Sequence, residues 1–165
     1  MSTTQNLLKE LAEEALVTRK MLERIPSDKL DWTPHVKSMP VKQLAGHIAE
    51  LPGWISMILS TEGLNFAAQA YKSPEWSTNS ELLDILDDSL NSAKTSLEKA
   101  GEEDLLPNWV LSNGDQILMT KTKGEFIRHS MSQIVHHRAQ LGVYLRLLDV
   151  PIPGSYGPSA DDPAF

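Results

Sequence analysis

The 165-residue chain contains no cysteine. That excludes disulfides, thiolate zinc fingers and a nucleophilic cysteine, and leaves His, Asp, Glu and amide oxygens as the available metal ligands. Nothing in it requires an oxidising compartment. Basic charge is also scarce, with 15 Lys and Arg against 22 Asp and Glu and a net charge of -7. A phosphate backbone is repelled by such a chain on average, and no Lys/Arg run is interleaved with aromatics, so nucleic-acid binding is not expected. No uninterrupted apolar run reaches membrane-spanning length. The start, Met1 to Asn6, has neither the basic nor the apolar segment of a secretion signal, and the expected location is cytoplasmic. Internal repeats are absent too. With 41% hydrophobic residues, the length suits one compact domain over 1–165 with a substantial core.

What is present reads as four helical segments. The first runs from Thr4 to Ile25, with Leu8, Leu11, Ala15, Thr18, Leu22 and Ile25 on one face and Pro26 ending it. A loop containing Trp32 and His35 follows. The second helix starts near Ser38 to Pro40, and Pro52-Gly53 predicts a kink in it. Thr78-Asn79-Ser80-Glu81 has the capping-box pattern and opens a third helix that continues to Gly101. The fourth spans Lys123 to Asp149, closed by Pro151, and the proline-rich segment 151–165 is expected to be extended. Between the third and fourth helices, Asn113-Gly114 separates two short apolar runs. That is the spacing of a hairpin with a type I′ turn, and an irregular crossover fits equally well.

Two histidines stand out in this pattern. In helix two the stripe Pro40, Leu44, His47, Leu51, Trp54, Ile58 is apolar except for His47. In helix four the seam Phe126, Ser130, Gln133, His137, Gln140, Tyr144, Leu147 is apolar at both ends and polar in the middle. A buried imidazole needs a partner, so two of them on separate inward faces are read either as ligands of one metal ion or as hydrogen-bonded core histidines.

These residues carry a resemblance. His47 to Leu51 in helix two, His136-His137-Arg138-Ala139-Gln140-Leu141 and the residues to Leu147 in helix four, and the tail Pro151 to Asp161 resemble the DinB family of bacterial proteins over essentially the whole chain. The resemblance implies an all-α, up-down-down-up four-helix bundle and a homodimer. It also implies a divalent ion, zinc or nickel, held by one His of helix two and a His-x-x-x-His pair of helix four. The corresponding positions here are His47, Gln133 and His137. A glutamine oxygen is a weaker donor to zinc or nickel than imidazole, so affinity should fall at a site with Gln133.

Other histidines are sorted by helix geometry. His129 and His137 are eight residues apart, about 12 Å along a helix, too far to share one ion. His136 lies about 100° around the helix from His137 and is expected in a groove or on a dimer surface. His35, in a loop, is free to swing in as a replacement. Glu50, three residues after His47, is read as a general base, as an orienting group for water, or as simply solvated. Tyr144 is the second candidate for moving a proton. Arg138 and Arg146 are read as structural ion pairs ahead of anion binders. Homodimerisation is further suggested by apolar helix surface at Ile55, Leu59, Val143 and Leu147. Two classes of function follow. One is a metal-dependent enzyme, either a transferase or isomerase that depends on a small thiol, as the resemblance implies for some relatives, or a hydrolase. The other is a non-catalytic small-molecule binder or stress-response accessory protein.

Overall fold

The computed structural model describes residues 2–68 and 72–163. Among them are five α-helices and three short strands: α1 Thr3–Leu22, α2 Val41–Glu50, α3 Gly53–Ser60, β1 Gly63–Asn65, α4 Asn79–Lys99, β2 Asn108–Asn113, β3 Gln116–Thr122 and α5 Lys123–Leu147. The helices are accompanied by the hairpin that the Asn113-Gly114 spacing allowed between the third and fourth of the expected helices, and β1, which was not expected, extends it to a three-stranded sheet. The kink expected at Pro52-Gly53 is a break that ends α2 and starts α3. Proline has no N–H to continue the ladder, and Leu51, now at a helix end, turns its carbonyl to the Trp54 N–H and to the hydroxyl of Ser130 on α5, at 3.1 and 3.0 Å.

Helix boundaries follow local chemistry. Three helices open with reciprocal capping boxes, Ser2 with Gln5, Thr78 with Glu81, and Thr122 with Glu125. α5 ends with Asp149 at φ 57°, and the Val150 N–H reaches back to the Leu145 carbonyl at 2.9 Å, the closure that a left-handed residue permits. Beyond it, residues 151–163 form neither helix nor strand.

β2 and β3 form the antiparallel hairpin, and β1 adds to β2 in parallel. The two-residue turn is Gly114-Asp115, with Asn113 paired to Gln116. Only Gly114, at φ 61°, takes a positive φ there, which fits a type II′ turn and not the expected type I′, where both central residues do so. Gly63 pairs with Val110, and a Cβ on Gly63 would sit 2.4 Å from the Val110 carbonyl oxygen, so the close approach of β1 requires glycine.

α1 packs on α4 and α5, and α2 and α3 each pack on the same two helices. One apolar cluster contains Leu22, Leu44, Ile48, Leu82, Leu86, Leu141 and Leu145. A second, under the sheet, contains Leu7, Ile55, Ile58, Leu97, Trp109, Phe126 and Ile127. Trp109 is fully buried against Phe126 and donates its indole N–H to Thr61. Ile55, expected on an oligomer surface, is fully buried in its own chain. α3 packs on both α4 and α5, so the core takes Ile55 from it as well as Ile58. Val143 and Leu147 do face outward, each 58% exposed.

Candidate functional site

α2 and α5 pack together and bring His47 and His137 into contact, with ring centroids 4.9 Å apart at an interplanar angle of 71°. Each ring is held from its Nδ1 side by a residue three positions along its own helix. Glu50 Oε1 lies 2.7 Å from His47 Nδ1, and Gln140 Oε1 lies 2.9 Å from His137 Nδ1. With an oxygen acceptor at each Nδ1, the imidazoles carry their protons there, which makes Nε2 the nitrogen with a lone pair. Metal-binding histidines are oriented in this way by outer carboxylates and carbonyls. Trp54 closes one side, its ring 6.4 Å from that of His47.

The spacing fits an ion. With a zinc–nitrogen bond of about 2.1 Å and a ring centre about 1.1 Å behind the nitrogen, each centroid lies about 3.2 Å from a shared ion, so rings meeting near the tetrahedral angle lie about 5 Å apart. The protonation state fits as well. Burial holds the His137 pKa below the usual histidine value, the Gln140 hydrogen bond opposes this, and the charges of His47 and His136 depress it further. A neutral imidazole is the form that binds a metal.

The third position is less complete. Gln133, half-buried one turn before His137, has its Nε2 3.5 Å from Nε2 of His129. Among the described residues, no group of three or more His, Cys, Asp or Glu is placed to hold a metal. His129 stands on the wall of a separate cleft of about 740 Å³ that also includes Lys121, Glu125 and Arg128. Burial, followed by the charge of Lys121, lowers its pKa. His35 is exposed, its Nδ1 accepting the Lys37 N–H at 3.1 Å, and it remains in its loop. His136 is exposed, with its ring 4.9 Å from that of His137.

Tyr144 is buried in the first apolar cluster with its ring edge-on to Trp32 at 5.7 Å. Arg138 is 2% exposed and donates to Glu14 Oε2 at 2.5 Å, Thr18 Oγ1 at 3.0 Å and the Tyr156 hydroxyl at 2.8 Å. Tyr156 in turn donates to the other Glu14 oxygen at 2.6 Å. Arg146 pairs with Asp161 at 2.6 Å. Both arginines thus tie the segment after α5 to the helices. Reading helix periodicity missed Glu14 and Tyr156, although a charged Arg138 among the apolar residues of α5 signalled that a buried partner was needed.

Comparison with known proteins adds the following. The family model described as "DinB family" matches residues 1–164. The uncharacterized protein YrdA of Bacillus subtilis is 23% identical over 160 residues, covering 97% of this chain and 92% of that one. The crystal structure of a DinB-like protein from Bacillus cereus superposes with a TM-score of 0.71 at 18% identity, covering 92% of this chain and 97% of the other. A mycothiol-dependent maleylpyruvate isomerase superposes with a TM-score of 0.53 at 13% identity, covering 86% of this chain and 64% of that one. At these identities the likeness is one of fold. Among the described residues, no helix is long and apolar enough to cross a membrane.

Proposed function

The chain belongs to the DinB family, and from that premise we propose that it is a divalent-metal-binding member of the family's helical fold, with His47 and His137 as its principal ligands, acting on a small thiol. The observation that carries this reading is the 4.9 Å approach of the two rings, each fixed at Nδ1 by its own outer residue. Zinc or nickel suits two imidazoles, and Gln133 supplies a weaker amide donor one turn from His137. Two or three protein ligands leave coordination positions for a thiol or water. A bound divalent ion lowers the pKa of a thiol or water that it holds.

The chain's own residues do the rest. Glu50 keeps His47 in the tautomer that presents Nε2, and Gln140 does the same for His137. Glu50 lies on the Nδ1 side of His47, away from the ion, so in this reading it orients and polarises that ring, and the proton released when the thiol ionises passes to water. Tyr144 is not assigned that proton either, because its ring is packed against Trp32 in the apolar cluster. The thiol class is taken from the isomerase of the same fold, which is mycothiol-dependent. A second reading, a non-catalytic binder with a vestigial site, is favoured by Gln133 at the third position. The exposed Val143 and Leu147 support a homodimer.

Protein purified without a polyhistidine tag tests the proposal. The expected result is near-stoichiometric zinc, nickel or iron, and turnover of small thiols with electrophiles that a chelator and His137→Ala both abolish. Metal binding without turnover would favour the binder, and wild-type protein whose metal binding is unchanged by His137→Ala would reject the site.

A further inference from the structure

His129, Gln133 and His137 form one row on α5, spaced four residues apart, so each side chain lies one turn above the next. Among the described residues, Gln133 makes a single side-chain hydrogen bond, between its Nε2 and Nε2 of His129 at 3.5 Å. An amide nitrogen can only donate, so the imidazole nitrogen facing it must accept, which places the His129 proton on Nδ1. An amide whose nitrogen is engaged on one side offers its oxygen to whatever is held on the other. The amide oxygen is the ligand atom of a glutamine, and the amide nitrogen cannot serve as one. Left unheld, a glutamine amide presents either atom.

We propose that His129 is a positioning residue: it holds the Gln133 amide so that its oxygen, not its nitrogen, is available to an ion bound by His47 and His137. His129 itself is too far along the helix to reach that ion, about 12 Å from His137. Its effect passes entirely through Gln133. The row would thus make the unusual third position usable, at lower affinity than a third imidazole. The inference rests on the metal-binding reading above, and it assigns a role to a histidine that spacing alone could only exclude.

Zinc titration by calorimetry on tag-free protein tests it, with circular dichroism to confirm the fold. His129→Phe keeps a ring beside Phe126, whose ring lies 6.2 Å away, and removes the acceptor. It should weaken zinc binding about tenfold, the low end of losses seen on removing outer-shell partners. His129→Gln restores an acceptor and should recover most of the affinity, which a purely structural role would not produce. In a Gln133→Ala background, His129→Phe should have no further effect, because the residue through which it acts is gone. Wild-type affinity in His129→Phe, with His137→Ala abolishing binding, would overturn the inference and leave the metal site standing. An equal loss with or without Gln133 would also overturn it. Wild-type protein that binds no zinc would remove both the site and the role of His129.

Discussion

Replacing Arg138 by methionine removes a guanidinium but keeps a long apolar stem, so the perturbation is chiefly electrostatic. The Arg138 and Glu14 side chains are 3% and 12% exposed, and the pair is closed by Thr18 and Tyr156. Taking one charge from a buried pair leaves the other uncompensated, a loss of about 3–5 kcal/mol. The Tyr156 hydroxyl still donates to Glu14 at 2.6 Å, which places the expected loss at the lower end, about 3 kcal/mol. For a chain of this size each kcal/mol moves Tm by about 2–4 °C, so Arg138→Met should melt about 6–12 °C below wild type. Adding Glu14→Leu removes the stranded carboxylate and should recover most of that loss, since an apolar pair replaces a buried ion pair at little net cost. Thr18, 1% exposed, then lacks its partner, leaving a residual deficit of about 1 kcal/mol. Thermal and urea denaturation followed by circular dichroism measure all three proteins. A single variant within about 1 kcal/mol of wild type, or a double variant as unstable as the single, would refute the reasoning from a stranded charge.

Gln133→His should tighten zinc binding at least severalfold, as imidazole is the better donor, and unchanged calorimetric affinity in a folded variant would show that residue 133 is not a ligand. Burial raises the Tyr156 pKa, with the hydrogen bond to Glu14 acting the same way, so its contribution to stability is present below the ordinary tyrosine value and is lost as pH rises through the folded one. The stability difference between wild type and Tyr156→Phe should therefore shrink above about pH 10, and a constant difference across that range would contradict the assignment. Light scattering at tens of micromolar should show a dimer, whereas a species of 18.3 kDa alone would leave Val143 and Leu147 as ordinary exposed surface.

The long helices were legible because their apolar residues recur at helical spacing, and the Thr78 box and Pro52 marked a start and a break by local chemistry. The capping boxes at Ser2 and Thr122 are written in the same code, with Gln5 and Glu125 three residues on. The sheet was half legible. Asn113-Gly114 left a hairpin and an irregular crossover equally open, and β1 has only three residues and pairs with β2 by a close approach at Gly63 that no alternation reveals. The His47 and His137 stripes point inward in sequence, and contact between them follows from α2 packing on α5. The Gln133–His129 bond was not legible, since spacing places the two on one face without saying which amide atom turns which way. Nor was the pairing of Arg138 with Glu14, which lies 124 residues earlier. Periodicity shows that a charge is buried and is silent on its partner.

The packing of α1 on α4 and α5 also sets an order of assembly. Within the chain α1 precedes α4, which begins at Asn79, and α5, which begins at Lys123, so Leu7, Leu11 and Leu22 are made before the two long helices they pack on. Local helix formation is fast, but these long-range contacts wait for translation. A nascent chain stopped before Tyr156 would lack the hydroxyl that completes the Arg138–Glu14 contact and would leave that charged pair more open to water. Synthesis of the segment after α5 is thus the step that closes the ion pair joining α1 to α5.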